Sequence, residues 1–437
     1  MPKRLLAVVQ VPHGEATQLP SSYRNARRPW RHSFHSICSR VASFPPPLTH
    51  YFIEAYTKPG DRVLDIFSGT GTAPLQACLD GRIGIGNDIS PEAFVLTRAK
   101  VDPPGQYDFF AYLHSLKRSM LENAKHLVDK NDLYFGSDFL RDKLDLGLYY
   151  HRETLKQLLN LRQVLLADLE SPINSKARNA GFCTAIMMGI LHGDRPESLS
   201  LPLDRSKSLT SNHINKMRKK YPGRYDRRFK DVAQSIARKA EKVYRHGIPL
   251  ARGEAYQKDA ASFSLRDPVN LVITSPPYFS AHTYAYDNRH RLWFLGYDYR
   301  KVQDEMFQTS NQGAYFDYIL KCLKNIQGML SDDSACVLVV GDVGMTSRKD
   351  RTNVKTGEEI AMKWADSRNT EMEVSEIIVD PIPLKSRRYI HVPVTQGIKQ
   401  ERLVIFHKGK PSFMAGKIDW TVHPRVVEGP KWTRFYQ

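Results

Sequence analysis

The segment that most clearly indicates the fold is Arg62-Val63-Leu64-Asp65-Ile66-Phe67, followed directly by Ser68-Gly69-Thr70-Gly71-Thr72. Its first half is a short apolar run typical of a buried strand, and the glycine-rich turn leads into a helical pattern. A second strand is predicted over residues 83–88. A strand, a helix and a strand in this order form a βαβ unit, the smallest piece of a parallel sheet. The sequence therefore predicts an α/β fold.

The pattern of apolar residues changes along the rest of the chain. From residue 106 to about 250 the strand signal fades and helical patterns dominate, whereas apolar strand patterns return at residues 271–274, 335–340 and 402–406. We interpret the middle segment as a helical insertion that interrupts one α/β domain. The predicted division is a basic N-terminal arm (1–40), a first, cofactor-binding part of the domain (41–105), the insertion (106–250) and a second, catalytic part (251–437).

Composition excludes several classes of protein. A chain of 437 residues with 41% apolar and 25% charged residues is typical of a globular protein rather than a disordered one. It contains no apolar run of the roughly 18 residues that a membrane helix needs and no convincing secretory signal, so we expect a cytoplasmic protein without a membrane partner. The five cysteines include no CxxC pair, so neither disulfides nor a metal site is expected, and we predict buried small apolar residues.

The net charge is +18, and two segments carry most of it. Residues 1–40 hold seven basic residues and one acidic residue, and residues 211–250 hold twelve basic and three acidic residues. Such segments are either solvated faces that keep the protein soluble or a surface that contacts a nucleic acid. Composition alone leaves both interpretations open.

The glycine turn predicts a cofactor site. Glycine has no Cβ, so its backbone N–H groups can approach a ligand closely. The full GxGxxG pattern is absent, which argues against a nicotinamide or flavin. Asp88 ends the second predicted strand, where an acidic side chain either accepts the hydroxyls of a ribose or caps the helix that begins near Pro91.

Ser275-Pro276-Pro277-Tyr278 directly follows a predicted strand. The two prolines make a rigid loop whose carbonyl groups can accept hydrogen bonds from an amino group, and the aromatic ring can stack on a base turned out of its helix. An isolated motif of this kind is more often a proline turn with a buried tyrosine. On the same predicted sheet as a cofactor turn, it favours a site that modifies a base.

At these two motifs the chain resembles the S-adenosylmethionine-dependent DNA methyltransferases that modify exocyclic amino groups. Residues 65–72 resemble the family's FxGxG motif, and residues 275–278 its (D/N/S)PP(Y/F/W) motif. The resemblance implies a Rossmann-like methyltransferase fold with a mostly parallel seven-stranded sheet and a helical insertion. It also implies the catalytic residues Ser275, Pro276, Pro277 and Tyr278, and S-adenosylmethionine bound by Pro46, Asp65, Phe67, Ser68, Gly69, Thr70, Gly71, Thr72, Asp88 and Asp259.

The chemistry of the loop agrees with this resemblance. A serine hydroxyl and a proline carbonyl that accept the two N–H bonds of an aromatic amine would localise its lone pair for attack on the sulfonium methyl group. Methylation at cytosine C5 needs a nucleophilic cysteine, which that family presents after a proline, and no cysteine here follows a proline. Serine in the first position of the motif resembles the N4-cytosine enzymes of this family more than the N6-adenine enzymes, so the resemblance implies N4 of cytosine as the target, with N6 of adenine as the alternative.

Double-stranded DNA is the expected partner, and we predict that the insertion contacts its phosphates. The predicted contacts are Lys216, Arg218, Lys219, Lys220, Arg224, Arg227 and Arg228. A helical cap whose basic run is only solvated is the alternative for this segment, and RNA or a protein glutamine is the alternative for the substrate. A DNA-binding protein without catalysis would have no use for the cofactor turn. A role in restriction would require a separate endonuclease, and a stand-alone epigenetic role is equally compatible.

Overall fold

The structure, a computed structural model, describes most of the chain. It covers residues 19, 31–40, 45–122, 146–170, 174–203, 208–279, 284–341, 343–344, 353–367, 370–381 and 400–414.

Seven strands form one mixed sheet in the order β3-β2-β1-β4-β5-β9-β8. Neighbouring strands are parallel except that β9 runs antiparallel to both β5 and β8. The strands are β1 (Arg62–Asp65), β2 (Ile83–Asn87), β3 (Glu254–Tyr256), β4 (Val269–Thr274), β5 (Leu330–Gly341), β8 (Met372–Pro381) and β9 (Gln400–Lys408), and β6 (Val343–Gly344) pairs with β7 (Asn353–Val354) in a separate hairpin. The predicted α/β fold with a mostly parallel seven-stranded sheet is therefore confirmed.

The centre of the sheet fixes the place of the site. From β1 the chain builds outward through β2 and β3 on one side, and through β4 and β5 on the other. Val63 pairs with Leu271 and Leu64 with Val272, so β1 and β4 end side by side. In open α/β sheets a crevice forms at the carboxyl ends of the strands at such a reversal of strand order, and ligands bind there.

Close packing of helix on strand explains the glycines of β2. A Cβ on Gly84 would lie 1.9 Å from the carbonyl oxygen of Pro74, which belongs to the helix between β1 and β2. The two elements can approach this closely only because position 84 has no side chain. The apolar residues of β1 and the glycines of β2 are thus both suited to a sheet whose two faces are covered by helices.

Helices cover the sheet and build the insertion. In chain order they are α1 (Pro46–Tyr56), α2 (Thr72–Leu79), α3 (Pro91–Val101), α4 (Gln106–Glu122), α5 (Leu146–Tyr149), α6 (Arg152–Leu169), α7 (Ser175–Ile190), α8 (Ser211–Lys220), α9 (Val232–Tyr244), α10 (Tyr284–Asp287), α11 (Arg289–Phe294), α12 (Tyr299–Glu305), α13 (Gln312–Met329) and α14 (Thr356–Asp366).

The predicted helical insertion is confirmed as part of this fold. Its described residues form α4 to α9, with no strand beyond one isolated bridge between Gly193 and Pro202. A continuous apolar core joins the insertion to the helices on the sheet, because Phe182 of α7 and Leu96 of α3 belong to the same buried cluster. The insertion therefore packs onto the α/β domain through apolar contacts.

The prediction of an arm over residues 1–40 is wrong for residues 31–40. Phe34 and Ile37 are fully buried in the core of the insertion. Ser33 lies in a short 3₁₀ helix (Ser33–Ser36), and its hydroxyl donates to the carbonyl of Val243 at 2.5 Å. Burial of two large apolar side chains outweighs the polar character of the segment. Residues 1–18 and 20–30 lie outside the described residues.

All five cysteines are buried and free, as predicted. Across the described ranges, no helix is long and apolar enough to cross a membrane.

Candidate active site

Asp65, the last residue of β1, connects the end of β1 to the end of β4. Its Oδ1 accepts hydrogen bonds from the hydroxyl of Thr274 at 2.6 Å and from the N–H of Phe67 at 3.1 Å. Burial raises the pKa of Asp65 to about 7. Asp65 does not line the cavity above it, so the structure gives it the role of joining the ends of the two strands.

A cavity that is partly open to solvent lies above these strand ends. The glycine turn forms one wall and the Ser-Pro-Pro-Tyr loop another. Its lining residues are Arg40, Ile66, Phe67, Ser68, Gly69, Thr70, Thr72, Asp88, Ile89, Ala260, Ser275, Pro276, Pro277, Tyr278, Tyr284, Met306, Phe307 and Tyr318. The fold thus brings the two predicted motifs, about 200 residues apart in the chain, to one cavity.

Packing and hydrogen bonding with residues of α3 fix the conformation of the glycine turn. Gly69 and Gly71 have φ values of 51° and 68°, in the left-handed region that glycine adopts without strain. A Cβ on Gly71 would lie 2.9 Å from the Cα of Thr97, so this glycine serves close packing and does not line the cavity. Lys100 donates to the carbonyl of Thr70 from the buried side. Phe67, Ser68, Gly69, Thr70 and Thr72 line the cavity.

Asp88 lies where the turn meets β2. One carboxylate oxygen accepts from the N–H of Gly69 at 2.8 Å and the other from the N–H of Ser90 at 2.9 Å. Asp88 thus lines the cavity and also accepts from the N–H of Ser90, the residue before α3. Each carboxylate oxygen can accept a further hydrogen bond. Burial raises the pKa of Asp88, and the charge of Arg40 opposes that shift.

Arg40 was missed by the sequence analysis. Its side chain is 9% exposed and lines the cavity, with Nη1 3.3 Å from a carboxylate oxygen of Glu92. Within the described part of the chain, that buried Nη1 makes no hydrogen bond. The sequence carries no signal for this residue, because Arg40 reaches the cavity only through the packing of the preceding 3₁₀ helix.

The Ser-Pro-Pro-Tyr loop is anchored by two partners from distant segments. The N–H of Tyr278 donates to the hydroxyl of Tyr284 at 3.3 Å. The hydroxyl of Tyr278 donates to Oε1 of Glu401 at 3.3 Å. Neither Tyr284 nor Glu401 was predicted, because their positions beside the loop depend on the folded chain. The four predicted catalytic residues all line the cavity.

Aromatic rings form the wall at the end of β3. Phe307 and Tyr318 stack with ring centroids 3.8 Å apart and planes at 6°. Asp259 accepts a hydrogen bond from the hydroxyl of Tyr318 at 3.1 Å but does not itself line the cavity. Pro46 does not line it either, and its carbonyl accepts from Thr49 within α1. Asp259 and Pro46, which were predicted to contact the cofactor, therefore do not lie at the cavity wall.

The cavity fits S-adenosylmethionine in its chemistry. Asp88 offers carboxylate oxygens to ribose hydroxyls, and the flat rings of Phe307 and Tyr318 offer apolar surface to an adenine. The unsatisfied Nη1 of Arg40 offers a cationic donor to the carboxylate of the methionine end. These residues would hold the cofactor, which supplies an activated methyl group when it is bound.

A separate group of possible metal ligands is explained by ion pairing. Single ligand atoms of His50, Glu54 and Asp80 lie within 4.8 Å of one another. The guanidinium of Arg82 lies 2.6 Å from Glu54, and Nδ1 of His50 lies 2.8 Å from Asp80. Arg82 pairs with Glu54, and the Asp80 carboxylate is hydrogen-bonded by His50 and Gln76, so the group is a polar network that joins α1 to the residues after α2.

The predicted DNA-contacting residues lie on α8 and the turn that follows it. Lys216, Lys219, Lys220, Arg224, Arg227 and Arg228 are exposed, and Arg218 is half-buried. Lys220 and Arg224 lie over the ring of Tyr221, at 5.2 Å and 5.8 Å from its centroid. Arg227 donates to the carbonyl of Gly147. The structure thus presents a basic surface with an exposed aromatic residue.

Known proteins resemble part of this chain. Residues 17–98 match the family described as DNA methylase, the N6/N4 methyltransferases. A type II methyltransferase, M.MthZI from Methanothermobacter thermautotrophicus, is 27% identical over 130 residues, which are 29% of this chain and 35% of that protein. The match thus spans about a third of the length of that relative.

Two solved structures are similar to this chain at a low level. TrmN from Thermus thermophilus is 10% identical with a TM-score of 0.31, over 86% of this chain and 52% of that one. The rRNA methyltransferase aviRa from Streptomyces viridochromogenes is 11% identical with a TM-score of 0.31, over 89% of this chain and 97% of that one. Such scores carry no argument about this chain, and the fold rests on its own strand order.

The matched segment contains the glycine turn, β2 and Asp88, which are the residues that form the cofactor side of the cavity. S-Adenosylmethionine is accordingly the cofactor of this site. Over residues 17–98 the chain is thus similar to the N6/N4 DNA methylases, and the fold brings the matched glycine turn and the Ser-Pro-Pro-Tyr loop to one cavity.

Proposed function

We propose that the protein is an enzyme that transfers a methyl group from S-adenosylmethionine to an exocyclic amino group of a base in duplex DNA, with N4 of cytosine as the favoured target. The observation that carries this proposal is the single cavity lined by both the glycine turn and the Ser-Pro-Pro-Tyr loop. A base that reaches such a cavity must leave the helix, because its amino group is inaccessible inside the stack. The reaction is then a direct transfer without a covalent enzyme intermediate.

In this proposal the loop prepares the amine. The hydroxyl of Ser275 and the carbonyl of Pro276 accept its two N–H bonds, which localises the nitrogen lone pair. The ring of Tyr278 stacks on the target base and holds it beside the cofactor site. Pro276 and Pro277 keep the backbone from closing into a helix, so the acceptor positions are preorganised.

The basic surface of α8 supports DNA as the substrate. Its exposed cations can neutralise phosphates and so position a duplex without reading its bases. We propose the insertion, residues 106–250, as the segment that contacts DNA, between the two parts of the catalytic domain. A restriction role would need a separate endonuclease as partner.

Cytosine is favoured because Ser275 stands in the first position of the motif. N6 of adenine is the second candidate, since both bases present a planar ring with an exocyclic amino group to the same loop. An RNA base is a third candidate, because a basic surface attracts either nucleic acid.

The test is mass spectrometry of nucleosides from unmethylated DNA after incubation with the protein and S-adenosylmethionine. We expect N4-methylcytosine with the native protein and none with the double variant Ser275→Ala, Tyr278→Ala. Tyr297→Ala is the matched control, because Tyr297 is 45% exposed and does not line the cavity.

Each other outcome changes a defined part of the proposal. N6-methyladenine would keep the mechanism and replace the base. No methylated nucleoside on DNA of varied sequence, with methylation of RNA under the same conditions, would replace the substrate. Methylation that survives in the double variant would contradict the assigned catalytic loop.

A further inference from the structure

One face of α3 contacts the glycine turn of the cofactor site. Thr97 and Lys100 are three residues apart, so their side chains lie on the same face of this helix. The hydroxyls of Thr97 and Ser68 are hydrogen-bonded at 2.9 Å, and the ammonium of Lys100 donates to the carbonyl of Thr70. Ser68 and Thr70 line the cavity, whereas Thr97 and Lys100 do not. The two residues of α3 therefore act on the turn without lining the cavity themselves.

The sequence explains why the carbonyl of Thr70 takes a side-chain donor. The N–H of Leu75 donates to the carbonyl of Gly71 at 3.2 Å, and this bond is the first of α2. The helix cannot extend back to Thr70, because the residue four positions on is Pro74, which has no N–H. A buried carbonyl without a donor costs free energy. Lys100, which is 1% exposed, supplies that donor from a neighbouring helix.

The other peptide groups of the turn find their partners close by. The N–H of Gly71 donates to the carbonyl of Ser68 at 2.6 Å, and the N–H of Gly69 donates to Asp88 at 2.8 Å. The peptide group between Thr70 and Gly71 lies next to a residue without a Cβ, so sterics alone leave it more than one orientation. The bond from Lys100 selects the orientation in which the Thr70 carbonyl points toward α3.

The ammonium of Lys100 lies among other cations. Within the described part of the chain, the titratable and charged groups that face it are Arg31, His35 of the 3₁₀ helix, Cys38 and Lys239 of α9. Burial lowers the pKa of Lys100 to about 8, Cys38 opposes this shift, and the charges of Lys239 and Arg31 add to it. A neutral amine makes a weaker hydrogen bond than an ammonium. The contact to the turn should therefore weaken in mildly alkaline solution.

We propose that Lys100 is a positioning residue for S-adenosylmethionine: its protonated side chain fixes the glycine turn in the conformation that binds the cofactor, and loss of that proton weakens binding. The inference rests on the cofactor of the proposed function but not on which base is methylated. Linkage gives it a second signature. A ligand that binds the protonated protein more tightly must cause proton uptake when it binds near pH 8.

The test is isothermal titration calorimetry of the full chain with 5′-methylthioadenosine. This ligand lacks the amino and carboxyl groups of S-adenosylmethionine, so its own titration does not interfere. We expect its Kd to rise up to about fivefold as the pH rises through about 8, because a charged hydrogen bond becomes a neutral one. Buffers of different ionisation enthalpy should show proton uptake at that pH. A Kd independent of pH, without proton uptake, would overturn the inference in the native protein alone.

Lys239→Met is the matched control for Lys100→Met. Lys239 is 8% exposed, burial also lowers its pKa to about 8, and it donates to the carbonyl of Ser36 at 2.5 Å. We expect Lys100→Met to weaken binding and to abolish both the pH dependence and the proton uptake. Lys239→Met should retain both, with the change in Kd moved to higher pH because a neighbouring cation is gone. A pH dependence that persists in Lys100→Met, or that disappears in Lys239→Met, contradicts the proposal.

Lys100→Gln separates the charge from the hydrogen bond. Its amide still donates to the Thr70 carbonyl but does not titrate. We expect one Kd at every pH, close to that of the native protein above pH 8. A loss as large as that of Lys100→Met at alkaline pH would mean that the length of the lysine side chain matters rather than its proton, and would overturn the proposal.

Failure of the proposed function would look different. Native protein that binds 5′-methylthioadenosine with the expected pH dependence but methylates no nucleic acid contradicts the function and supports the role of Lys100. Protein that methylates DNA but binds the ligand equally well on both sides of pH 8 contradicts the role of Lys100 alone. Native protein that binds neither 5′-methylthioadenosine nor S-adenosylmethionine contradicts both.

Discussion

The guanidinium of Arg40 lies at the wall of the cavity, 3.3 Å from a carboxylate oxygen of Glu92, with a buried nitrogen that makes no hydrogen bond among the described residues. Arg40→Gln should weaken binding of S-adenosylmethionine at least about tenfold, because a hydrogen bond to a charged group contributes about 1.5–3 kcal/mol. It should leave binding of 5′-methylthioadenosine, which has no carboxylate, unchanged. Isothermal titration calorimetry measures both affinities.

The exposed Arg266 provides a matched control for that substitution, since Arg266→Gln removes the same charge away from the cavity. An equal loss of affinity for both ligands in Arg40→Gln would mean that Arg40 supports Asp88 rather than the carboxylate.

Asp65 makes stability depend on pH. Its pKa in the folded state, about 7, is higher than its ordinary value of 3.8, so the folded protein binds this proton more tightly than the unfolded chain. The stabilisation from this group is full below pH 3.8 and is lost as the pH rises to about 7. Asp65→Asn should remove up to roughly 4 kcal/mol of this dependence from the free energy of unfolding, which urea titrations at several pH values measure. A pH profile identical to that of the native protein would contradict the assignment.

At the scale of the element, the helix α8 is the one whose surface the proposed function needs. Exposed cations of this helix and of the turn after it include Lys216, Lys219, Lys220 and Arg224. Changing all four to glutamine should weaken DNA binding and lower the slope of log K against log salt by about 0.9 for each phosphate that is no longer neutralised. Fluorescence anisotropy at several salt concentrations measures both quantities.

The helix α13 supplies the control for this experiment, because Lys321 and Lys324 are exposed there. Lys321→Gln, Lys324→Gln should leave the slope unchanged. An unchanged slope in the α8 variant would mean that its basic run is only solvated.

The motifs of the sequence predicted the elements near the cofactor well. The apolar run before Ser68 became β1, and the loop after Thr274 reached the same cavity as the glycine turn. Arg40, Tyr284 and Glu401 could not be predicted in the same way. Arg40 follows the 3₁₀ helix that packs on the insertion, Tyr284 begins the short helix α10, and Glu401 lies in the antiparallel strand β9. No local sequence pattern indicates which distant segment packs beside a loop.

At the scale of the molecule, the insertion and the sheet share one core. Phe182 of α7 packs in the same buried cluster as Leu96 of α3 and Phe34. We therefore expect one cooperative unfolding transition, with the same midpoint by far-ultraviolet circular dichroism and by tryptophan fluorescence. Phe182→Ala should lower the free energy of unfolding by about 3–5 kcal/mol and shift both probes together. Two separate transitions would show that the insertion is an independent domain.

Local sequence patterns were enough to predict the class of fold, the helical insertion and the two motifs, because apolar periodicity, glycine turns and proline loops act over a few neighbouring residues. Only the tertiary structure decided which residues share the cavity. It brought Arg40 to the cavity wall and Glu401 to the hydroxyl of Tyr278, kept Pro46, Asp65, Gly71 and Asp259 from the lining, and buried Phe34 and Ile37 of the predicted arm. The physical reason is that burial and pairing of polar groups depend on the whole folded chain, since strand order and core packing choose the neighbours of each side chain.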